Sequence, residues 1–294
     1  MAISLGINPI TWSNDDLQYV GANISLDTCL SETAAAGFDG IELGHKFPRD
    51  AATLRPILEK YGLALVSGWY SGQLLERDAK SEVAAMQRHA SLLSDMSCDV
   101  LIFAEVTGCI HSNIEARLSQ RPRLTANEWA QFGKRMSEVA KAAADHGLKL
   151  SYHHHMGTVV QSKADIDALM DATSDDVYLL LDTGHAFFAG ADPVQLAKQY
   201  AGRIGHLHCK DIREKPMQRC LNRDGSFLQA VLDGAFTVPG DGCIDYPGVL
   251  AALGDYSGWA VVEAEQDPSV APPAKFAQLG HDNLRELVAK HHVV

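Results

Sequence analysis

Histidine and carboxylate side chains recur through the second half of the sequence, each at or just beyond the end of an apolar run. They are His153, His154 and His155, Asp182 and His185, His206 and His208, and Glu263 and Glu265. Imidazole and carboxylate groups together bind divalent ions such as Mn, Co, Fe or Zn. A single strand-end histidine or glutamate more often caps a neighbouring helix, but several unpaired ionisable groups buried together would be costly. The set as a whole therefore predicts a site for one divalent metal ion.

The spacing of these residues indicates which of them face the same way. Side chains alternate along a strand, so residues two apart share a face. The pairs that share a face under this rule are His153 and His155, His206 and His208, and Glu263 and Glu265. His154, in the middle of the run of three, points away.

Two earlier apolar runs also end in an acidic residue, Glu42 and Glu105. Either carboxylate could accept a hydrogen bond from a substrate, or could be a structural partner for an arginine or lysine. The sequence leaves both interpretations open.

Apolar runs of strand length alternate with longer amphipathic stretches along the chain. The strand-like runs cover residues 3–10, 38–43, 63–67, 99–105, 148–153, 177–182, 204–208 and 259–263. The helical stretches cover about residues 25–36, 51–61, 80–96, 125–146, 163–172, 193–200, 246–253 and 275–290. Short, nearly all-apolar strands are typical of parallel sheets buried on both faces. Eight strand–helix units in 294 residues predict a (β/α)8 TIM barrel that forms a single domain over residues 1–294.

In such a barrel the carboxyl ends of all strands lie on one face, so the predicted metal ligands converge there. The competing architecture is an open doubly wound sheet, but no G-x-G-x-x-G follows the first strand. The connections over residues 106–124 and 210–242 are unusually long, which favours a functional role for them. Arg213, Arg219 and Arg223 in the second of these loops either clamp a substrate or are solvated.

The charge balance excludes some classes of partner. The chain carries 37 acidic and 25 basic residues, a net charge of −12, whereas nucleic-acid and anionic-membrane surfaces need basic patches. No apolar run reaches the ~18 residues of a membrane span, and the N-terminal segment lacks the basic region and apolar core of a signal peptide. Six cysteines without a C-x-x-C pair fit reduced thiols. We therefore expect a cytoplasmic protein that binds neither nucleic acid nor membranes.

Several strings of residues resemble those of a known superfamily. LDTGH at residues 181–185, HLHCKD at 206–211 and GWAVVE at 258–263 are similar to motifs of the xylose-isomerase-like TIM barrels. Three further strings more closely resemble the inosose dehydratase family within that superfamily. They are GINPITWSNDD at residues 6–16, HHHMGT at 153–158 and EAEQDP at 263–268. The resemblance covers essentially the whole chain.

The resemblance implies one metal ligand from each of the fifth to eighth strands. By position these ligands fall on His153, Asp182, His208 and Glu263. A histidine stands at the fifth-strand position where many relatives have a glutamate, so His155 is a rival ligand there. The family implies Mn or Co as the metal and glutathione as a further cofactor, although the sequence itself contains no recognisable glutathione site.

The resemblance also implies a reaction, the dehydration of 2-keto-myo-inositol (scyllo-inosose) to a trihydroxycyclohexane-dione. The metal would act as a Lewis acid on the ketone and a neighbouring hydroxyl and would stabilise the enediolate. A base must remove the proton beside the ketone, and an acid must protonate the departing hydroxyl. We assign the role of base to Glu263 or His155.

The remaining predicted site residues lie around the same barrel mouth. His185, Lys210 and Glu42 are assigned to holding or protonating substrate hydroxyls. The substrate-binding candidates are Asn8, Glu42, Trp69, Glu105 and Arg213. Of these, the indole at the end of the third strand would supply an apolar wall and the asparagine at the end of the first strand a polar group.

Three other functions remain open at this stage. A ketose epimerase or isomerase on the same scaffold would form the same enediolate but return the proton. A metal-dependent phosphodiesterase like endonuclease IV needs three zinc ions and a basic DNA-binding face, which the net charge of −12 argues against. A non-catalytic sugar-binding protein would keep the barrel without turnover. The expected partner is a small polyol ketone, and a homo-oligomer is a further expectation because such barrels are often dimers or tetramers.

Overall fold

The computed structural model describes residues 3–291, where eight parallel strands close into a barrel. The strands of this range are β1 (Ser4–Ile7), β2 (Gly40–Leu43), β3 (Ala64–Gly72), β4 (Val100–Glu105), β5 (Lys149–His153), β6 (Val177–Asp182), β7 (Ile204–Cys209), β8 (Asp211–Ile212), β9 (Phe236–Thr237) and β10 (Trp259–Val262). β8 and β9 form a separate antiparallel ribbon, and β1 pairs with β10 to close the barrel. The predicted (β/α)8 TIM barrel is confirmed. Residues 1–2 and 292–294 of the predicted single domain lie outside the described residues, and the single domain stays a prediction.

Capping residues in the sequence stabilise the ends of many of the helices. They are α1 (Leu26–Ala36), α2 (Ala51–Tyr61), α3 (Ala79–Asp95), α4 (Ala126–Ala144), α5 (Lys163–Ala172), α6 (Thr183–Phe188), α7 (Pro193–Tyr200), α8 (Glu214–Asn222), α9 (Phe227–Leu232), α10 (Tyr246–Leu253) and α11 (Pro273–His291). α1 follows Ser25, whose hydroxyl accepts a hydrogen bond from the Thr28 N–H, and ends at Gly37 with φ of 95°. α4 begins with the capping box of Thr125 and Glu128. None of the helices described here has the length and apolar character needed to cross a membrane.

The two faces of each barrel strand pack against different parts of the molecule. Along β4, Leu101 and Phe103 join the large apolar core that includes residues of the surrounding helices. Val100 and Ile102 alternate with them and meet Leu180 of β6 in a small separate apolar layer. This second layer lies inside the barrel, beneath the polar strand ends.

The structure differs from the sequence-based boundaries mainly at the carboxyl ends of strands. β1 is shorter than predicted, because Pro9–Thr11 form a 3-10 turn. β3 continues beyond residue 67 to Gly72, because its last residues pair with β4 as far as Glu105. α6 starts directly after β6, where Asp182 caps it, and the predicted loop after β7 contains α8, α9 and the β8–β9 ribbon. Such short elements have too few residues to show a clear periodicity.

Candidate metal centre

Four side chains converge at the carboxyl ends of neighbouring strands of the barrel. His153 ends β5, Asp182 ends β6, His208 lies in β7 and Glu263 follows β10. Each offers one ligand atom, and these atoms lie within 4.8 Å of one another. Asp182 Oδ2 is 3.6 Å from His153 Nε2 and 3.7 Å from His208 Nδ1. Glu263 Oε2 is 3.9 Å from His153 Nε2 and contacts His208 Nδ1. The barrel thus brings the sequence-predicted ligands together.

The chemistry of this four-residue group fits a divalent metal ion. All four side chains are buried, and the four converging atoms have no hydrogen-bond partner outside the group among the described residues. Buried polar atoms without a partner carry a desolvation penalty, which a bound cation would offset. Two imidazoles with two carboxylates are also a donor set that suits Mn, Fe, Co or Zn. His155, the rival ligand from the fifth strand, belongs to a different cluster.

Glu42 lies beside the four-residue group and orients one of its histidines. Its Oε1 atom is 2.9 Å from His206 Nε2, 3.1 Å from His208 Nε2 and 2.6 Å from Ser67 Oγ, and its Oε2 atom accepts a 2.6 Å hydrogen bond from the Asn8 amide. Burial opposes ionisation, but the two imidazoles outweigh it and lower the pKa of Glu42. An Nε2–H donated to Glu42 leaves Nδ1 of His208 as the ligand atom.

These hydrogen bonds give a structural role to two residues predicted to bind substrate, Glu42 and Asn8. Glu42 lines the pocket, and both of its oxygens already accept hydrogen bonds from side chains of the protein. Asn8 lies in the pocket wall, but its amide nitrogen binds Glu42 and its amide oxygen accepts a hydrogen bond from the Ile10 N–H. Both residues therefore position other groups of the site, and substrate binding by either of them stays a prediction.

A second buried cluster adjoins the first and contains His155, His185 and Glu265. Lys210 Nζ lies 2.9 Å from His185 Nε2 and 2.5 Å from Glu265 Oε1. Burial and nearby cations lower the pKa of both histidines, which favours their neutral form. Burial raises the pKa of Glu265 to about 7, although the lysine opposes this effect. Burial disfavours the charge of Lys210, but Glu263 and Glu265 outweigh it and raise the lysine pKa.

A pocket of about 260 Å³ opens over the two clusters. Its lining residues are Asn8, Ile10, Asp15, Asp16, Glu42, Leu43, His45, Trp69, Ser71, Ile102, His111, His155, His208, Glu263 and Glu265. At its more exposed side, His45 Nδ1 is 2.5 Å from Asp15 Oδ1, and His111 Nε2 is 3.8 Å from Asp16 Oδ1. Among the described residues that line it, none is a lysine or an arginine.

Comparison with known proteins assigns the family. A model of the xylose isomerase-like TIM barrel family matches residues 30–287. The chain belongs to this family. It is 45% identical over 291 residues to the rhizopine catabolism protein MocC of Rhizobium meliloti, covering 98% of this chain and 90% of that protein. It is 43% identical over 288 residues to inosose dehydratase 2 of Bacillus cereus, covering 97% of each. The resemblance found in the sequence is therefore confirmed.

A solved structure of the same fold gives a further comparison. The IolI protein with a bound zinc atom aligns with a TM-score of 0.70 at 18% identity, over 98% of this chain and 99% of that one. At this level of identity the likeness shows the fold alone.

Not every residue predicted for this xylose isomerase-like barrel reaches the pocket. Trp69 does, with its ring 5.2 Å from that of His153. Glu105 does not, because its carboxylate is buried and accepts hydrogen bonds from backbone N–H groups of two loops. Arg213 lies outside the lining as well, and its guanidinium binds Asp241 at 2.6 Å. The structure thus gives both residues structural partners in place of a substrate.

Several pocket residues were missed by reasoning from strand ends. Glu265 lies two residues after Glu263 on the same face. This spacing indicates a residue of the site, but no individual role is assigned to it from the sequence. Asp15 and Asp16 lie in the string GINPITWSNDD at residues 6–16, but they do not lie at a strand end. His45 and His111 come from loops and have no local pattern that marks them.

Proposed function

We propose that this xylose isomerase-like barrel is a metal-dependent hydro-lyase of the inosose dehydratase type. The reaction is the loss of water from 2-keto-myo-inositol, which gives 3D-3,5/4-trihydroxycyclohexane-1,2-dione. The observation that carries the proposal is the convergence of four unpartnered ligand atoms beside a pocket lined by imidazoles and carboxylates. Relatives at 40% to 43% identity that are named inosose dehydratases support the type of reaction.

The pocket lining favours a neutral substrate. Its charged side chains among the described residues are carboxylates, beside several histidines. Such a surface disfavours phosphate and carboxylate groups, whereas the hydroxyls of a polyol ketone can donate hydrogen bonds to it. The same lining offers the two carboxylates of glutathione no lysine or arginine, so we assign glutathione no place in this pocket.

The four-residue group would hold the divalent ion, for which we propose Mn or Co. When bound, the ion supplies Lewis-acid polarisation of the substrate ketone, which acidifies the neighbouring C–H group. The chain contributes ligand atoms of fixed orientation, because Glu42 fixes the ring of His208.

His155 is the residue that we assign to removal of the proton beside the ketone. It lines the pocket, and its Nδ1 atom lies 2.8 Å from the carbonyl oxygen of Met156. That carbonyl can only accept, so Nδ1 carries the hydrogen and Nε2 has the free lone pair. Glu263, the other candidate base, contacts His208 and is assigned to the metal.

Glu265 is the residue that we assign to protonation of the departing hydroxyl. It lines the pocket, whereas His185 and Lys210, which were predicted for this role, are fully buried behind the lining. A general acid must reach the leaving oxygen directly or through one water molecule, which favours the carboxyl group at the surface of the pocket.

The test is incubation of the purified protein with 2-keto-myo-inositol and Mn, with chromatographic separation of the products and absorbance detection of the diketone. We expect diketone, and we expect Asp182→Asn to abolish it. Asp175→Asn, at a position that is 99% exposed, is the matched control and should keep full activity. Recovery of an isomerised polyol ketone without loss of water would identify an epimerase or isomerase and overturn the proposal.

A second candidate substrate follows from the relative MocC, whose identity of 45% exceeds the 43% of inosose dehydratase 2. Its name refers to rhizopine catabolism, so the second candidate substrate is rhizopine. Parallel measurements of kcat/KM on rhizopine and on 2-keto-myo-inositol separate the two candidates, because the preferred substrate has the higher value.

A further inference from the structure

The cluster of His155, His185 and Glu265 has three donor atoms placed so that they could hold a second metal ion. Its three ligand atoms lie within 4.8 Å of one another, and all three side chains are buried. Two imidazoles and a carboxylate would suit a divalent ion. The proposed function uses one metal ion, which belongs to the other cluster, so this one needs a different occupant.

The ammonium group of Lys210 lies within this second cluster. Its Nζ atom contacts His185 Nε2 at 2.9 Å and Glu265 Oε1 at 2.5 Å, and those two atoms are 3.8 Å apart. The same Nζ is 3.4 Å from Glu263 Oε1 and 3.8 Å from Asp182 Oδ2. One positive charge therefore lies among three carboxylates and an imidazole, the surroundings that a bound metal ion would have.

The fold holds this ammonium group in place. Lys210 is completely buried, and its Nζ atom lies 5.1 Å from the centre of the Phe236 ring. Its stem packs against Gly184, where an added Cβ would come within 2.6 Å of Lys210 Cγ. The glycine of the LDTGH string thus makes room for the lysine. A buried lysine constrained in this way cannot swing out to solvent as surface lysines do.

We propose that the Lys210 ammonium is the resident cation of the second cluster, so that the chain binds one divalent ion and not two. The single charge of the ammonium group occupies this position without placing a second divalent ion beside the first, where their repulsion would be strong. The inference rests on the metal centre of the proposed function but is independent of the reaction. Removal of the lysine charge should open the second cluster to a metal ion.

The test is the metal content of the purified protein, measured by elemental analysis after chelator treatment and reloading with Zn alone. Lys210→Met keeps a similar apolar stem without the charge, and we expect it to bind one more ion per chain than the unmodified protein. Lys163→Met removes a surface lysine that pairs with Asp167 and should show no gain. Addition of Glu265→Gln to Lys210→Met should reverse the gain.

A gain that Glu265→Gln reverses supports the proposal, and a folded Lys210→Met protein without a gain overturns it. A second measurement needs no variant. Anomalous scattering from crystals of the unmodified protein soaked in excess Zn should show an ion at the four-residue group, and a peak between His185 and Glu265 would overturn the proposal. An unmodified protein that binds no ion at all would contradict the metal centre, so the two failures are distinguishable.

Discussion

At the scale of single residues, the site depends on which ring nitrogen of each histidine carries the hydrogen. Glu42 lies within hydrogen-bonding distance of Nε2 of His208, and the Met156 carbonyl lies beside Nδ1 of His155. These acceptors leave His208 Nδ1 free for a metal ion and His155 Nε2 free for a proton. The groups that fix the rings are therefore as important for function as the groups that react.

Glu42→Gln tests the first of these orienting contacts. A glutamine keeps one acceptor oxygen for His206 and His208 but lacks the negative charge, and its NH2 group would face the Asn8 amide donor, so it holds the two rings more weakly than the carboxylate does. We expect metal affinity to fall by ~10–100-fold while the fold is retained. Competition with a chromogenic chelator measures the change. Glu138→Gln, on the exposed face of α4, is the matched control, and an unchanged affinity in Glu42→Gln would contradict the role.

His155→Asn tests the assignment of the base. Loss of a general base lowers turnover by ~10²–10⁴-fold, because no other positioned group takes the proton. Metal content should stay the same, since His155 lies outside the four-residue group. Steady-state kinetics and elemental analysis on the same sample check both statements. His146→Asn, at the end of α4, serves as control, and normal turnover in His155→Asn would move the role to another residue.

The sequence predicts the four residues that the barrel brings together as proposed ligands, but not the partners of the other polar residues. The ligands stand out because each is a polar residue at the end of an apolar strand, a local signal that the family resemblance reinforces. Glu42 meets histidines more than 160 positions away, and Arg213 binds Asp241 across its own loop. Such pairings depend on the closed barrel, so no local pattern distinguishes a structural carboxylate or guanidinium from one that binds substrate.

At the scale of elements, the sequence predicts the eight barrel strands and the long helices, because their periodicity and caps are local. It fails where an element depends on its neighbours. The last residues of β3 are half exposed or small, and only pairing with β4 keeps them extended to Gly72. α6 has six residues and begins at Asp182, whose side chain caps it, whereas the sequence predicts only a ligand role for this residue.

Glu105, at the end of β4, joins two loops. Its oxygens accept hydrogen bonds from the Leu74 and Thr107 N–H groups. Burial raises its pKa to about 6 from an ordinary 4.5, although those hydrogen bonds oppose the shift. The pKa of Glu105 is therefore higher in the folded chain than in the unfolded chain. The contribution of Glu105 to the free energy of unfolding is complete below about pH 4.5, and it falls by up to ~2 kcal/mol as the pH rises through about 6.

Glu105→Gln removes this titrating group, so the stability of the variant should depend on pH differently from that of the unmodified protein. We expect the free energy of unfolding of the unmodified protein, relative to that of Glu105→Gln, to fall by up to ~2 kcal/mol between about pH 4 and pH 7. Urea unfolding of both proteins at each pH, with matched metal, measures the difference. Glu138→Gln should show no comparable trend, and a difference for Glu105→Gln that is constant with pH would refute the assignment.

At the scale of the whole molecule, the closed barrel collects residues from both ends of the chain into one pocket. Its lining extends in sequence from Asn8 to Glu265, and the four-residue group lies at its wall. The net charge is −12, and the pocket lining has carboxylates but no lysine or arginine among the described residues. Both features disfavour the binding of anionic ligands. This distribution of charge supports the proposed ligands, a neutral polyol ketone and a divalent cation.

The central claim is that dehydration by this chain requires a divalent ion held by His153, Asp182, His208 and Glu263. The most direct measurement is turnover of 2-keto-myo-inositol by protein that chelation has made metal-free, before and after Mn or Co is added back. Loss of the Lewis acid should lower turnover at least ~100-fold, and the added metal should restore it in the unmodified protein but not in Asp182→Asn. Full turnover by protein that elemental analysis shows to be metal-free would contradict the account.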